Sequence, residues 1–145
     1  NEVELHERQV ACEGILEKIA EDSEFFISKQ ELEQEYAEVC ETQEYIAHVY
    51  ELPLADYAVS MLGINFEDFE AYCWDKAEMA IKKRLVRKKL IEMNSFDKLT
   101  YEELLDIGVN NFKLSLDMLV EGDTQKIVVT QLLNEFLIKN SIAID

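Results

Sequence analysis

The chain has 145 residues, of which 48% are apolar, and this is enough to bury the core of one domain spanning residues 1–145. Its formal net charge of −17 argues against binding to nucleic acid or to anionic membranes, because their phosphates select clustered cations free of an acidic surround. Four glycines and one proline, in a chain rich in Glu, Leu and Lys, predict an all-α fold.

The first predicted helix covers residues 3–19, where Val3, Val10, Ile15, Leu16 and Ile19 recur at roughly helical spacing between glutamates. Gly14 lies inside it and weakens it by about 1 kcal/mol relative to alanine. We interpret Gly14 as a point of close packing, with a hinge as the alternative.

The second predicted helix covers residues 29–50 and follows a break at residues 22–26. Ser28 and Glu31 have the spacing of a capping box, and Ile27 is expected to pack on Leu32 as a hydrophobic staple. The predicted buried stripe consists of Leu32, Tyr36, Val39, Cys40, Ile46 and Val49. Pro53 is expected to stop the helix.

A short helix is predicted at residues 54–62, and Gly63 is expected to end it as a C-terminal cap. Asn65 is then the predicted cap of the longest helix, which continues to Met93. At about 1.5 Å per residue this helix is roughly 40 Å long.

Three further elements complete the chain. Thr100 and Glu103 form a second predicted capping box for a helix over residues 101–112. A short apolar segment follows at residues 114–120, closed by Gly122. Asp123 or Thr124 caps a final helix whose apolar face contains Ile127, Val128, Leu132, Leu133, Phe136 and Leu137. No exact internal repeat is visible.

The sequence gives little indication of a catalytic site or of a cofactor-binding site. His6 and His48 have no nucleophile or carboxylate at a motif spacing, and metal-ligand pairs and phosphate-binding glycine loops are absent from the sequence, so we expect neither an enzyme nor a cofactor. The cysteines Cys12, Cys40 and Cys73 are far apart in sequence, which suits reduced thiols in a cytoplasmic protein. The basic stretch at residues 82–89 is interpreted as a solvated face beside acidic neighbours, with a docking site for acidic partners or for nucleic acid as the alternative.

Methionine and aromatic side chains suit surfaces that adapt to different apolar partners. We therefore take the set that gathers in the middle of the chain as candidate binding residues: Tyr57, Met61, Phe66, Phe69, Trp74, Met79 and Met93.

Three ordered stretches resemble the C-terminal domain of trigger factor, a bacterial ribosome-associated chaperone. They are ILEKIAEDSEFFIS at residues 15–28, ELPLADYAVSMLGINFEDFEAYCWDKAEMAIKKRLVRKKLIEM at residues 51–93, and IVVTQLLNEFLIKNSIAI at residues 127–144. The peptide-binding fold of SurA-type chaperones is a weaker match. In the first stretch, the resemblance makes Phe25 and Phe26 turn residues that clamp one helix end onto the next.

The resemblance implies an elongated all-α domain with helical arms, which binds unfolded or nascent polypeptides without ATP and prevents their aggregation. Nothing in the sequence resembles the family's ribosome-binding or prolyl isomerase domain, so we expect neither ribosome docking nor isomerisation by this chain. Because the sequence begins at Asn1 rather than methionine, a longer full-length protein is also expected. The alternative hypothesis is a helical scaffold or adaptor that binds one folded partner or forms a homodimer.

Overall fold

The computed structural model describes the backbone of residues 2–144 and the side chains of residues 2–140. The described chain is all-α, as predicted, and contains no strand. We number its α-helices α1 to α7, with these bounds: Glu2–Glu21, Lys29–Val49, Leu54–Tyr57, Phe69–Met93, Tyr101–Asp106, Leu116–Glu121 and Thr124–Ile144.

Short irregular helical turns extend several of these helices. A π-helical turn continues α3 over Ala58–Leu62, and another continues α5 over Ile107–Asn111. Turns of 3₁₀-helix cover Phe66–Asp68, directly before α4, and Phe96–Lys98. With these turns included, the predicted helices at residues 54–62 and 101–112 are confirmed.

The chain forms two compact units. Unit 1 contains residues 2–22 and 85–144, and unit 2 contains Ser23–Arg84. That residues 1–145 act as one domain stays a prediction.

The core of unit 1 is built around α7. Leu104 of α5 and Leu119 of α6 are buried in one cluster with Val128 and Val129 of α7. Helix α1 also packs on α7 and buries Cys12, Leu16 and Ala20. The broad apolar face predicted for the last helix is therefore confirmed, and side chains beyond residue 140 lie outside the described residues.

The core of unit 2 joins α2, α3 and α4. Ala58, Phe69 and Cys73 are buried together, and partly buried side chains of α2, including Tyr36 and Cys40, pack against them. Val49 was predicted in the buried stripe of α2, which was wrong: it is the last residue of the helix and is exposed.

Side-chain caps set most helix starts. The Ser28 hydroxyl accepts a hydrogen bond from the Glu31 amide at 3.1 Å, although Glu31 makes no return bond in the described chain. Thr100 and Glu103 form the complete capping box. The predicted cap by Asn65 was wrong: its backbone is extended as a cap requires, but its side chain accepts no cap hydrogen bond.

Two predictions for α1 are corrected. Val3 and Val10 were placed on its apolar face, but both are exposed, so burial is confined to the side that carries Cys12 and Leu16. A Cβ atom added at Gly14 would meet no described atom within 4 Å. Close packing is therefore not the reason for this glycine.

A local geometry occurs once in each unit. In unit 2, the Ile64 amide donates to the Ala58 carbonyl at 3.1 Å, across Gly63 with its left-handed φ of 71°. In unit 1, the Leu114 amide donates to the Gly108 carbonyl at 2.9 Å. We call residues 63–64 the first corner and residues 112–114 the second corner. Each corner follows a π-helical turn and precedes a capping residue with extended backbone.

Corresponding positions at the two corners share burial and backbone conformation. The first buried residue is Phe69 after the first corner and Leu119 after the second. Lys113 takes the left-handed position that Gly63 occupies, with a φ of 58°. The repeat was missed in the sequence because geometry and burial are repeated while few residue identities are.

Candidate functional site

Two of the seven candidate binding residues are core residues. Tyr57 is only 3% exposed, and its buried hydroxyl donates to Gln43 Oε1 at 2.6 Å. Phe69 is 8% exposed and belongs to the core cluster of unit 2. Neither side chain can contact a bound partner while unit 2 stays folded.

Two further candidates, Trp74 and Met79, are half-buried in α4. The Trp74 ring stacks on Tyr36 of α2, so one of its faces is occupied. These residues contribute to the packing of unit 2, and only their remaining edges are accessible.

Exposed candidates remain at the first corner. Met61 and Phe66 lie on either side of Gly63 and are both about half exposed. Val59, which was not among the candidates, is 58% exposed on the preceding turn. We call Val59, Met61 and Phe66 the first corner surface.

The second corner exposes a similar set. Leu116, Met118 and Val120 of α6 are exposed, while Leu119 between them is fully buried. We call these three exposed residues the second corner surface. Sequence reasoning treated residues 114–120 as one apolar segment and missed them, although six helical residues cannot bury every side.

Other exposed apolar residues lie away from the corners. Met93, the last candidate, is exposed at the end of α4 and belongs to unit 1. Phe26 is 95% exposed, so its predicted part in clamping two helix ends together is wrong. Phe25 is half-buried.

The basic stretch of α4 is paired with acidic residues, as predicted. In unit 2, Arg84 Nη2 lies 2.9 Å from Glu35 Oε2, and Lys82 pairs with Glu78 one turn earlier. In unit 1, Arg87 pairs with Glu13. These contacts neutralise part of the cationic face, as expected for a face that packs beside acidic helices.

Other possible sites carry little chemistry. An open depression along α1 is lined by His6, Gln9, Val10, Glu13, Gly14 and Glu17. His6 and His48 are both exposed. Nowhere in residues 2–144 do three His, Cys, Asp or Glu side chains gather as a metal site would require. None of the described helices combines the length and apolar character that a membrane span needs.

Comparison with known proteins identifies no relative: no family model, curated protein or solved structure matches the chain. Its function must therefore be argued from its own residues.

Proposed function

We propose that this chain is an ATP-independent chaperone domain that binds unfolded or nascent polypeptides and prevents their aggregation. The observation that carries the proposal is the exposure of apolar side chains at the equivalent corners of both units. The ordered resemblance to the trigger factor C-terminal domain motivates the same hypothesis.

The first and second corner surfaces have the character that varied clients require. Each contains a methionine, Met61 or Met118, whose unbranched and polarizable side chain adapts to partners of different shape. Exposed apolar side chains are groups through which a soluble protein can bind apolar segments of a partner. Two such surfaces on one chain can hold two segments of one client, which strengthens weak individual contacts.

The charge of the chain supports this proposal. Exposed apolar surfaces favour self-association, but a net charge of −17 makes copies of the chain repel one another. The same charge attracts basic segments of an unfolded client. Binding would therefore weaken as salt screens the electrostatic part, while the apolar part persists.

The test is light scattering from two unrelated denatured proteins, each diluted into buffer with and without the chain, in the absence of ATP. Suppression of aggregation for both clients at near-equal molar ratio is the expected result. Suppression of neither, together with capture of one folded partner, would support the adaptor hypothesis instead.

Four substitutions locate the activity. Met61→Ser with Phe66→Ser removes the first corner surface, and Leu116→Ser with Met118→Ser removes the second. Each pair is expected to weaken protection, and all four together are expected to abolish it. The matched control is Val3→Ser with Leu5→Ser, which removes two exposed apolar side chains from α1. Equal protection by all folded variants would exclude both corner surfaces.

A further inference from the structure

Two cysteines that are distant in sequence lie close together in the core of unit 2. Cys40 of α2 packs against the core cluster that contains Cys73 of α4, and it lies close enough to Cys73 to raise the pKa of that thiol. Cys73 has no exposed surface, whereas Cys40 is partly exposed. Both are free thiols in this structure. A disulfide, with its S–S bond of about 2.05 Å, forms only between cysteines that can approach in this way.

We propose that Cys40 and Cys73 are a redox-active dithiol, which a small disulfide such as oxidised glutathione converts to an intramolecular disulfide joining α2 to α4. The inference concerns the contact within unit 2 and does not depend on the proposed chaperone function. Cys12 takes no part, because it belongs to unit 1, where its thiol donates to the Asn134 carbonyl oxygen at 3.6 Å.

The difference in exposure sets the order of the two steps. Cys40, as the accessible thiol, attacks one sulfur of glutathione disulfide as its thiolate, and the other glutathione leaves and takes up a proton. Cys73 then loses its proton, and its thiolate attacks Cys40 Sγ and displaces the second glutathione. Two protein thiols are oxidised and one glutathione disulfide is reduced to two glutathione molecules.

The environment of Cys73 makes ring closure the slower step. Burial, followed by the neighbouring Cys40, raises the pKa of the Cys73 thiol to about 11. Lys76 acts in the opposite direction and Glu44 in the same one, while Tyr36 lies next to Cys40. Because few Cys73 thiols are ionised near neutral pH, closure is expected to accelerate as the pH rises.

The disulfide would restrain unit 2. The closed loop, residues 40–73, contains α3 and the first corner. Cross-linking such a loop restricts the unfolded chain, so oxidation is expected to raise the melting temperature of unit 2 by about 10 °C.

The experiment uses the full chain with Cys12→Ser, so that only the two thiols in question remain. It is equilibrated with glutathione buffers of rising oxidised-to-reduced ratio, then denatured for thiol counting and intact mass. The expected product has lost both thiols and two hydrogen atoms, carries no glutathione, and is monomeric on a non-reducing gel. Peptide mapping of the oxidised, unsubstituted chain tests for the same Cys40–Cys73 disulfide without any replacement.

Single replacements test the assigned order. With Cys73→Ser added, a glutathione adduct on Cys40 is expected to accumulate, because no thiol displaces it. With Cys40→Ser added, Cys73 is expected to stay unmodified. Retention of both thiols in the Cys12→Ser chain, a stable adduct on Cys40, or a disulfide between two chains would overturn the proposal.

The sole tryptophan supplies an independent readout. Trp74 adjoins Cys73 in sequence and stacks on Tyr36, so closure should change its emission. The change is expected in the Cys12→Ser chain and must be absent when Cys40→Ser is added. An emission that does not respond to a confirmed loss of both thiols would contradict a disulfide at this position.

Discussion

The rings of Tyr36 on α2 and Trp74 on α4 stack, with centroids 3.8 Å apart and planes inclined by 10°. The neighbouring Cys40 thiol, followed by burial, raises the pKa of the Tyr36 hydroxyl to about 12. One tyrosine therefore connects the aromatic stack to the cysteine pair. Because Trp74 is the sole tryptophan, its fluorescence reports on unit 2.

The stack is expected to stabilise unit 2 measurably. Tyr36→Leu should lower the free energy of unfolding by about 1 kcal/mol beyond the loss of buried area, because aromatic pairs contribute this much. Tyr36→Phe is the control, since it keeps the ring and removes the hydroxyl. Urea unfolding followed by Trp74 fluorescence and circular dichroism compares them. Equal unfolding midpoints for the Leu and Phe variants would show that the stack contributes nothing.

Gly108 has no room for a side chain. An added Cβ would lie 2.7 Å from Leu119 Cδ1 and 3.2 Å from Val128 Cγ2, and both residues are fully buried. Gly108→Ala should therefore lower the free energy of unfolding by about 1–3 kcal/mol through overpacking. The measurement is thermal or urea unfolding of the full chain.

Gly14→Ala is the matched control for that prediction. The site is helical and has open space around it, so alanine should raise the free energy of unfolding by up to about 1 kcal/mol through helix propensity and a less flexible unfolded chain. Opposite signs for the two Gly→Ala changes are expected. A loss of stability in both variants would mean that α1 uses Gly14 in a way its surroundings do not reveal.

The end of α2 is strained. Glu51 has a φ of 56°, and beyond it the Leu52 amide donates to the Ala47 carbonyl at 3.0 Å. Glu51→Gly should raise the free energy of unfolding by about 0.5–1 kcal/mol, because glycine adopts this conformation without a Cβ clash. The reverse change at the equivalent place after α3, Gly63→Ala, should lower it by about 1 kcal/mol. Urea denaturation that ranks the two variants the other way would refute this account.

Alkaline pH is expected to destabilise unit 2 through Cys73. Its pKa is raised from 9.0 to about 11, first by burial and then by Cys40. Between these values the unfolded chain has lost the thiol proton and the folded chain keeps it, so stability falls as pH rises. Below pH 9 this contribution is fully present.

Urea unfolding at several pH values across this window checks the effect. Cys73→Ala should be less stable overall, because it leaves a small cavity, yet its stability should decline less steeply with pH than that of the unsubstituted chain. Tyr45→Phe, which alters an exposed side chain, should leave the slope unchanged. Parallel slopes for all three chains would argue against a perturbed Cys73.

Helix positions could be predicted because their signals are local. Ser28 lies three residues before Glu31, and Thr100 has the same relation to Glu103, so the capping bonds follow from spacing alone. Gly63 likewise marks its own turn, because a left-handed residue favours glycine wherever it occurs. Asn65 shows the limit, since a suitable residue in an extended conformation still makes no side-chain cap.

The sequence by itself determined the all-α class and the main helix bounds, since these depend on neighbours within a few turns. Only the tertiary structure decided which apolar residues are exposed. Tyr57 and Met61 lie one turn apart, yet one is buried and the other is not, because burial depends on which helix packs against each face. The proximity of Cys40 to Cys73 was decided in the same way: the 32 intervening residues fold back, and no local pattern encodes that return.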